Sequence, residues 1–331
     1  MGRIVALAGG VGGAKFADGL ARISHPRIST SEPEATGDDS QRFEDRLLTV
    51  VVNVGDDFDH LGLRICPDLD TVVYTLAGIA NPETGWGLAS ETWQAMEMLA
   101  RYGGETWFRL GDRDLGLHLF RTAALRQGAR LTEVTAAVCA SLGIAASVLP
   151  VTDSHVPTTL ETDQGTLAFQ EYFVHRRCEP VVSKIRFDRI EEARPTAEVQ
   201  AAVEAANLIV ICPSNPFVSI EPILGVGDVR EWIAHKPVVA VSPIIGGQAV
   251  KGPAAKLLRE FGYESSSLSV AKHYADFLDA FVIDLVDRDQ ADEIRRLGIR
   301  VLTTDTLMTS VDDRARLARE VLDFALEELK V

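Results

Sequence analysis

Short apolar runs alternate with amphipathic stretches along most of the chain, and this alternation sets the fold class before any residue is given a role. Residues 4–8 read as a buried first strand, 9–13 as a tight glycine turn, and 14–23 as a helix with Phe16, Leu20 and Ile23 on one face. Residues 48–52 form a second apolar strand, and residues 69–142 carry helical periodicity, with helices at 91–102, 115–126 and 132–142 separated by glycines. Strands are expected at 147–151, 158–161 and 166–174, the last two joined by a hairpin turn at 162–165. Helices at 199–206, 229–235, 254–261, 290–297 and 312–329 then alternate with strands at 208–212, 238–242, 282–285 and 301–303. Such an order calls for an α/β fold with a doubly wound, mainly parallel Rossmann-like sheet and right-handed crossovers. A helical insertion at about 69–142 and a small β-hairpin region complete the expected architecture.

Residues 24–46 carry Pro, Ser, Thr, Glu and Asp with almost no apolar content, which predicts a mobile polar loop between the first two strands. The second strand must pair beside the first, so this loop is not a linker, and residues 1–331 are read as one Rossmann-like domain. The net charge of −15 argues against general attraction to nucleic acid or anionic lipid. A phosphate ligand must therefore be captured locally, by backbone N–H groups, a few basic side chains or a metal. Cys66, Cys139, Cys178 and Cys212 form no C-x-x-C pair, which excludes a zinc ribbon, a thioredoxin motif and a disulfide framework. No apolar run reaches the roughly 18 residues of a membrane span, and the first residues lack a secretory signal pattern, so a cytoplasmic location with no membrane partner is expected.

Candidate chemistry concentrates where strands end. Asn53-Val54-Gly55-Asp56-Asp57 and Pro67-Asp68-Leu69-Asp70-Thr71 place four carboxylates on two loops after the second strand. Mg²⁺ is commonly held by one or two carboxylates plus substrate phosphates and water; the alternative is helix N-capping by Asp68 or Asp70. The turn Gly9-Gly10-Val11-Gly12-Gly13-Ala14-Lys15 fits neither the dinucleotide fingerprint nor a P-loop. It leaves room for an anion at the amino terminus of the first helix, or for a tight turn with no ligand, and Lys15 is either a phosphate contact or a solvated lysine. In Arg109-Leu110-Gly111-Asp112-Arg113-Asp114, Asp112 or Asp114 is placed to cap the next helix, and Arg109 or Arg113 to hold substrate or form an internal ion pair. Trp86 and Trp93 cover a planar ligand or pack in the core. Ser214 and Asn215, with the segment 242–247, put hydroxyl, amide and glycine groups at one sheet edge, suited to a base, ribose or phosphate. The histidines have no metal spacing, and no G-x-S-x-G elbow is present.

This ordered set of segments, continued by Pro213-Ser214-Asn215-Pro216, Ser242-Pro243-Ile244-Ile245 and Asp305-Thr306-Leu307-Met308-Thr309, resembles the deazaflavin-modifying transferases of coenzyme F420 biosynthesis. That family is called 2-phospho-L-lactate transferase or phosphoenolpyruvate transferase. The resemblance implies transfer of a phosphorylated three-carbon acid from a guanosine diphosphate-linked donor to the deazaflavin Fo, with release of GMP. It implies Mg²⁺ at Asp56 and Asp68, deazaflavin at Asp70 and Arg109, and Fo and guanosine held by Gly10, Gly12, Ser214 and Asn215. A homodimer is also implied, and no residue is assigned as the base. The Asn-Val-Gly-Asp-Asp and Gly-Trp-Gly segments resemble the phosphoenolpyruvate-using branch. Two competing readings are a nucleotide-binding regulatory protein of related fold, which has no need of a deazaflavin clamp at Arg109, and an NAD-dependent oxidoreductase, which the broken glycine fingerprint disfavours.

Overall fold

The computed structural model describes residues 2–24 and 47–331, so the predicted polar loop lies, beyond Ser24, outside the described residues. Strand β1 (Ile4–Ala8) leads into α1 (Gly10–Ser24), and β2 (Leu48–Val52) is followed by a short antiparallel pair, β3 (Phe58–His60) and β4 (Leu63–Ile65). The helical insertion comprises α2 (Pro67–Ala77), α3 (Gln94–Arg101), α4 (Asp112–Arg126) and α5 (Leu131–Ser141). After β5 (Ser147–Pro150) come β6 (Thr158–Thr162), β7 (Gly165–Ala168) and β8 (Val182–Phe187), a separate antiparallel sheet in the order β7-β6-β8. Strands β9 (Leu208–Ile211) and β10 (Val238–Val241), the ribbon β11 (Ile244–Ile245) and β12 (Gln248–Ala249), then β13 (Ala280–Asp284) and β14 (Arg300–Thr304) follow. The last helix is Val311–Leu329.

The main sheet has seven parallel strands in the order β14-β13-β10-β9-β1-β2-β5. Ile4 pairs with Leu48 on one side and Leu208 on the other, so β1 is an interior strand, next to the central β9. The apolar runs of β1, β2, β9, β10 and β13 are buried along their whole length, as a parallel sheet covered on both faces requires. Strand order reverses between β1 and β9, because the chain builds outward through β2 and β5 before crossing to β9. Such a switch point opens a crevice at the carboxyl ends of the strands. No helix among the described residues is long and apolar enough to cross a membrane.

Two sequence expectations are corrected. Residues 166–174 are not one strand: β7 ends at Ala168, and Glu171–His175 forms a π-helical turn. Phe169 and Phe173, four apart, stack with ring centroids 5.5 Å apart, and Tyr172 is fully buried. The helical spacing of these rings overrides the β-branched and aromatic content that suggests a strand. Residues 10–13 are likewise the first turn of α1 rather than a turn before it. The pair β3–β4, strand β8 and the helix Ser267–His273 have no counterpart in the sequence reading, each being short or only partly apolar.

Close approach explains one glycine of that first turn. A Cβ built on Gly12 would lie 2.3 Å from the carbonyl oxygen of Pro213, in the loop after β9. Gly12→Ala should therefore cost about 1–3 kcal/mol through overpacking and lower the melting temperature by several degrees. A variant melting with the wild type would show that α1 and the Pro213 loop are not in this contact.

Candidate active site

A cleft of about 470 Å³ opens at the switch point. Gly9 and Gly10 after β1, Asp56 after β2, Pro213 to Asn215 after β9, Ser242 after β10 and Thr306 to Met308 after β14 all line it. The residues that the family resemblance assigns to ligands, namely Asp56, Asp68, Asp70, Arg109, Gly10, Gly12, Ser214 and Asn215, border this space, whereas Asp57, Trp93 and Arg113 do not. The surroundings of each differ, and these differences separate the groups open to a ligand from those engaged by the protein.

At one end lie two buried carboxylates tied to one amide. Asn53 Nδ2 donates to Asp56 Oδ1 at 2.8 Å and to Asp68 Oδ2 at 2.9 Å, with Val218 O at 3.1 Å, while Asn53 Oδ1 accepts from Gly55 N at 2.7 Å. Asp68 Oδ1 accepts from Gly10 N at 2.8 Å. A protein carboxylate thus occupies part of the helix N-terminus where the sequence left room for an external anion. Capping of α2 by Asp68 or Asp70 is not what forms: the N-cap is Cys66, with no side-chain cap, and both aspartates fall in the first turn. Burial raises the pKa of Asp56 well above the carboxylate range, and the neighbouring Asp68 adds to the shift against the Asn53 hydrogen bond. Asp68 is raised by burial as well.

Among the described residues no three or more His, Cys, Asp or Glu converge as a cation cage. Asp56 and Asp68 nevertheless fit a hard cation that takes its remaining oxygens from phosphate and water. Two buried like charges beside one amide are the electrostatic condition that a divalent cation relieves. Asp57, by contrast, does not border the cleft; it lies buried beside the Cys66 thiol, with Oδ1 lacking a hydrogen-bond partner among the described residues.

Asp70 borders the cleft, but both its oxygens are engaged by Arg121: Nη1 reaches Oδ2 at 3.1 Å and Nη2 binds Oδ1. The network continues through His118, whose Nδ1 is 3.5 Å from Arg121 Nη1 and whose Nε2 is 3.5 Å from Asp114 Oδ1. Tyr74 OH donates to the same Asp114 oxygen at 2.5 Å. Tyr74, His118 and Arg121 escape the sequence reading, although a helical signal is present: Tyr74 is four residues from Asp70, His118 four from Asp114, and Arg121 three from His118.

Arg109 lies 4.2 Å over the ring of Trp93, which acts as its platform, whereas Trp86 belongs to the cleft wall. Arg113 is an internal contact, donating to Ala89 O at 2.8 Å. Asp112 caps the preceding helix α3, accepting from Gln94 N at 2.9 Å and Ala95 N at 3.0 Å. Glu91 returns the favour at α4, accepting from Arg113 N and Asp114 N, both at 2.9 Å. The pair of helices is therefore capped reciprocally, which sets Arg109 and Asp114 at the cleft.

Ser214 Oγ stitches the loop after β9 to the end of β1, accepting from Gly9 N at 3.2 Å and donating to Gly9 O at 2.9 Å. Asn215 Oδ1 accepts from Phe217 N at 3.0 Å, and its Nδ2 is a buried donor without a partner among the described residues. Gly10 adopts φ +63° with open space where a side chain would point. Lys15 donates to Met308 O at 3.0 Å; burial lowers its pKa, helped by Arg314 and Lys251. Lys251, absent from the sequence reading, borders the cleft and donates to Thr84 O. Tyr74, Phe108, Phe169 and Phe173 give the cleft an aromatic wall. Acidic, cationic and aromatic groups thus line a single space.

Residues 4–316 match the family model described as 2-phospho-L-lactate transferase CofD. The chain is 43% identical over 333 residues to the phosphoenolpyruvate transferase of Streptomyces griseus, an alignment covering 98% of this chain and 99% of that one. It is 41% identical over 284 residues to the 2-phospho-L-lactate transferase of Methanopyrus kandleri, covering 85% and 91%. Among solved structures, a UPF0052-family protein of Bacillus halodurans superposes with a TM-score of 0.61 at 14% identity, covering 97% of this chain and 98% of that chain. That last likeness is one of fold.

Burial carries the Asp57 carboxyl from an ordinary 3.8 to about 8, against opposing contributions from Cys66, Arg121 and Arg64. Between these values the folded chain keeps a proton that the unfolded chain releases, so this group makes stability fall as pH rises through the window. Asp57→Asn should flatten the decline in melting temperature from about pH 4 to about pH 8 and exceed the wild type at the upper end. Parallel curves for the two proteins would overturn this account of Asp57.

Proposed function

Because the chain belongs to the 2-phospho-L-lactate transferase CofD family, we propose that it is a transferase of coenzyme F420 biosynthesis acting on the deazaflavin Fo. The donor is a guanosine diphosphate-linked three-carbon acid, 2-phospholactate or phosphoenolpyruvate. The terminal ribityl hydroxyl attacks the phosphorus that carries the acid, the P–O bond to GMP breaks, and the hydroxyl proton leaves. The observation that supports this most directly is that Asp56, Asp68, Lys15 and Lys251 line one cleft together with Tyr74, Phe108, Phe169 and Phe173.

Asp56 and Asp68 would hold Mg²⁺, and when bound the ion supplies neutralising charge to the diphosphate. Lys15 and Lys251 add positive charge beside the first turn of α1, the local capture that a chain of net charge −15 needs. The small first turn, with Gly10 and Gly12, lets the donor approach the backbone, and Asn215 Nδ2 offers an unpaired donor to the guanosine end. Arg109, held over Trp93, supplies a guanidinium to the acceptor, while Arg121 fixes Asp70 and so joins α2 to α4 on the acceptor side. The aromatic wall stacks on the planar ring and excludes water, leaving the hydroxyl aligned for in-line attack.

Incubation with Fo, Mg²⁺ and each guanosine-linked donor in turn should yield the corresponding F420 precursor and GMP, detected by mass spectrometry. No product with any donor would sink the reading. Asp68→Asn, which keeps the size of the side chain, should reduce turnover by at least about a hundredfold and leave the circular dichroism spectrum unchanged. Wild-type turnover in that variant would remove Asp68 from the metal site.

A further inference from the structure

We propose that Asp114 reads the edge of the acceptor ring, its Oδ2 accepting a hydrogen bond from a ring N–H or ring hydroxyl of a planar heteroaromatic ligand. The inference rests on the acceptor reading above and adds a specificity-determining residue to it. Asp114 stands in the first turn of α4 and borders the cleft beside Tyr74 and Phe108. Its Oδ1 is approached twice, by Tyr74 OH at 2.5 Å and by His118 Nε2 at 3.5 Å. Among the described residues no donor reaches Oδ2, and the side chain is 16% exposed.

His118 lies between two acids and a guanidinium: its Nδ1 is 3.5 Å from Arg121 Nη1 and 3.7 Å from Asp70 Oδ2, and its Nε2 is 3.5 Å from Asp114 Oδ1. Burial opposes charge on Asp114, but the His118 contact, the Tyr74 phenol and Arg121 outweigh it and hold the carboxyl below its usual range. An ionised carboxylate is acceptor-only, so whatever meets Oδ2 must donate. A planar ring with an N–H or O–H at its edge, laid against Tyr74 and Phe108, supplies that donor.

Position separates this task from the chemistry. Tyr74 is six residues beyond Asp68 on α2, about 9 Å along the helix axis. On this proposal Asp114, bonded to Tyr74, serves the ring and not the attacking hydroxyl. His118 and Tyr74 are positioning residues: they touch Asp114 and fix its rotamer.

The test is fluorescence titration of the full-length protein with Fo, with an analogue methylated at the ring N–H, and with one methylated at the ring hydroxyl. Wild type should bind Fo at least about tenfold more tightly than one of the two analogues, the range for a lost charge-assisted hydrogen bond, and the weaker analogue identifies the donor. Asp114→Asn should weaken Fo by a similar factor, erase the discrimination, and leave KM for the guanosine-linked donor unchanged. Tyr74→Phe should show a smaller, few-fold loss. Failure of the wild type to bind Fo would overturn the acceptor reading together with this proposal. Binding without discrimination by the wild type, or discrimination undiminished in Asp114→Asn, would overturn the proposal alone.

Discussion

One carboxamide, that of Asn53, makes the rest of the cleft possible. It bridges Asp56 and Asp68, two buried acids that repel each other, and its own carbonyl accepts from Gly55 N, so the loop after β2 is fixed at both ends of the side chain. Buried charge is tolerated where hydrogen bonds and counter-charge answer it, and here hydrogen bonds answer only in part. Burial raises the pKa of both acids, because each carboxyl is held away from water where its charged form is disfavoured. The same amide reaches Val218 O, so the acidic pair is registered against the segment that follows β9.

The switch point supplies the second half of that registration. β1 and β9 run side by side, and beyond their carboxyl ends Ser214 Oγ makes two hydrogen bonds to the backbone of Gly9. Asp68 Oδ1 then meets Gly10 N, one residue further on. Four elements, β1, β2, α2 and the loop after β9, thus converge through short contacts among Gly9, Gly10, Asn53, Asp68 and Ser214. A ligand at this point meets a preorganised surface, which is how a fixed arrangement of dipoles and charges lowers the cost of reorganisation during reaction.

The strands of the main sheet and the loops that end them were legible because period and punctuation are local. Leu48 to Val52 is continuously apolar and becomes a strand buried on both faces, and the acids that follow it can be placed at a strand end without knowing the partner strands. What the chain could not disclose was partnership across distance. Ser214 and Asn215 stand out as hydroxyl and amide groups after a strand, yet nothing local says that one is consumed by Gly9, some 205 residues away, while the other keeps a free amide. Asp112 was similarly readable as a cap but not as the cap of the helix before it, because the return contact to Gln94 and Ala95 depends on how two helices pack. Arg121 and Lys251 were invisible for the same reason: an isolated basic residue on a helix or in a loop has no signature until its partner is in view.

Helix α2 links the two halves of the cleft. Asp68 in its first turn faces α1 and Asn53, Asp70 pairs with Arg121 of α4, and Tyr74 reaches Asp114. These residues lie along less than two turns of one rigid element, so the distance between the Asp68 end and the Tyr74 end is fixed by helix geometry rather than by loops. A shift of α2 along its axis would move both ends together and preserve their separation. A rotation would break Gly10–Asp68 and Arg121–Asp70 at once. The capping of α3 by Asp112 and of α4 by Glu91 guards against such a rotation by locking α4, which carries Asp114 and Arg121, against α3. The spacing between Asp68 and Tyr74 is therefore set by secondary structure rather than by loops.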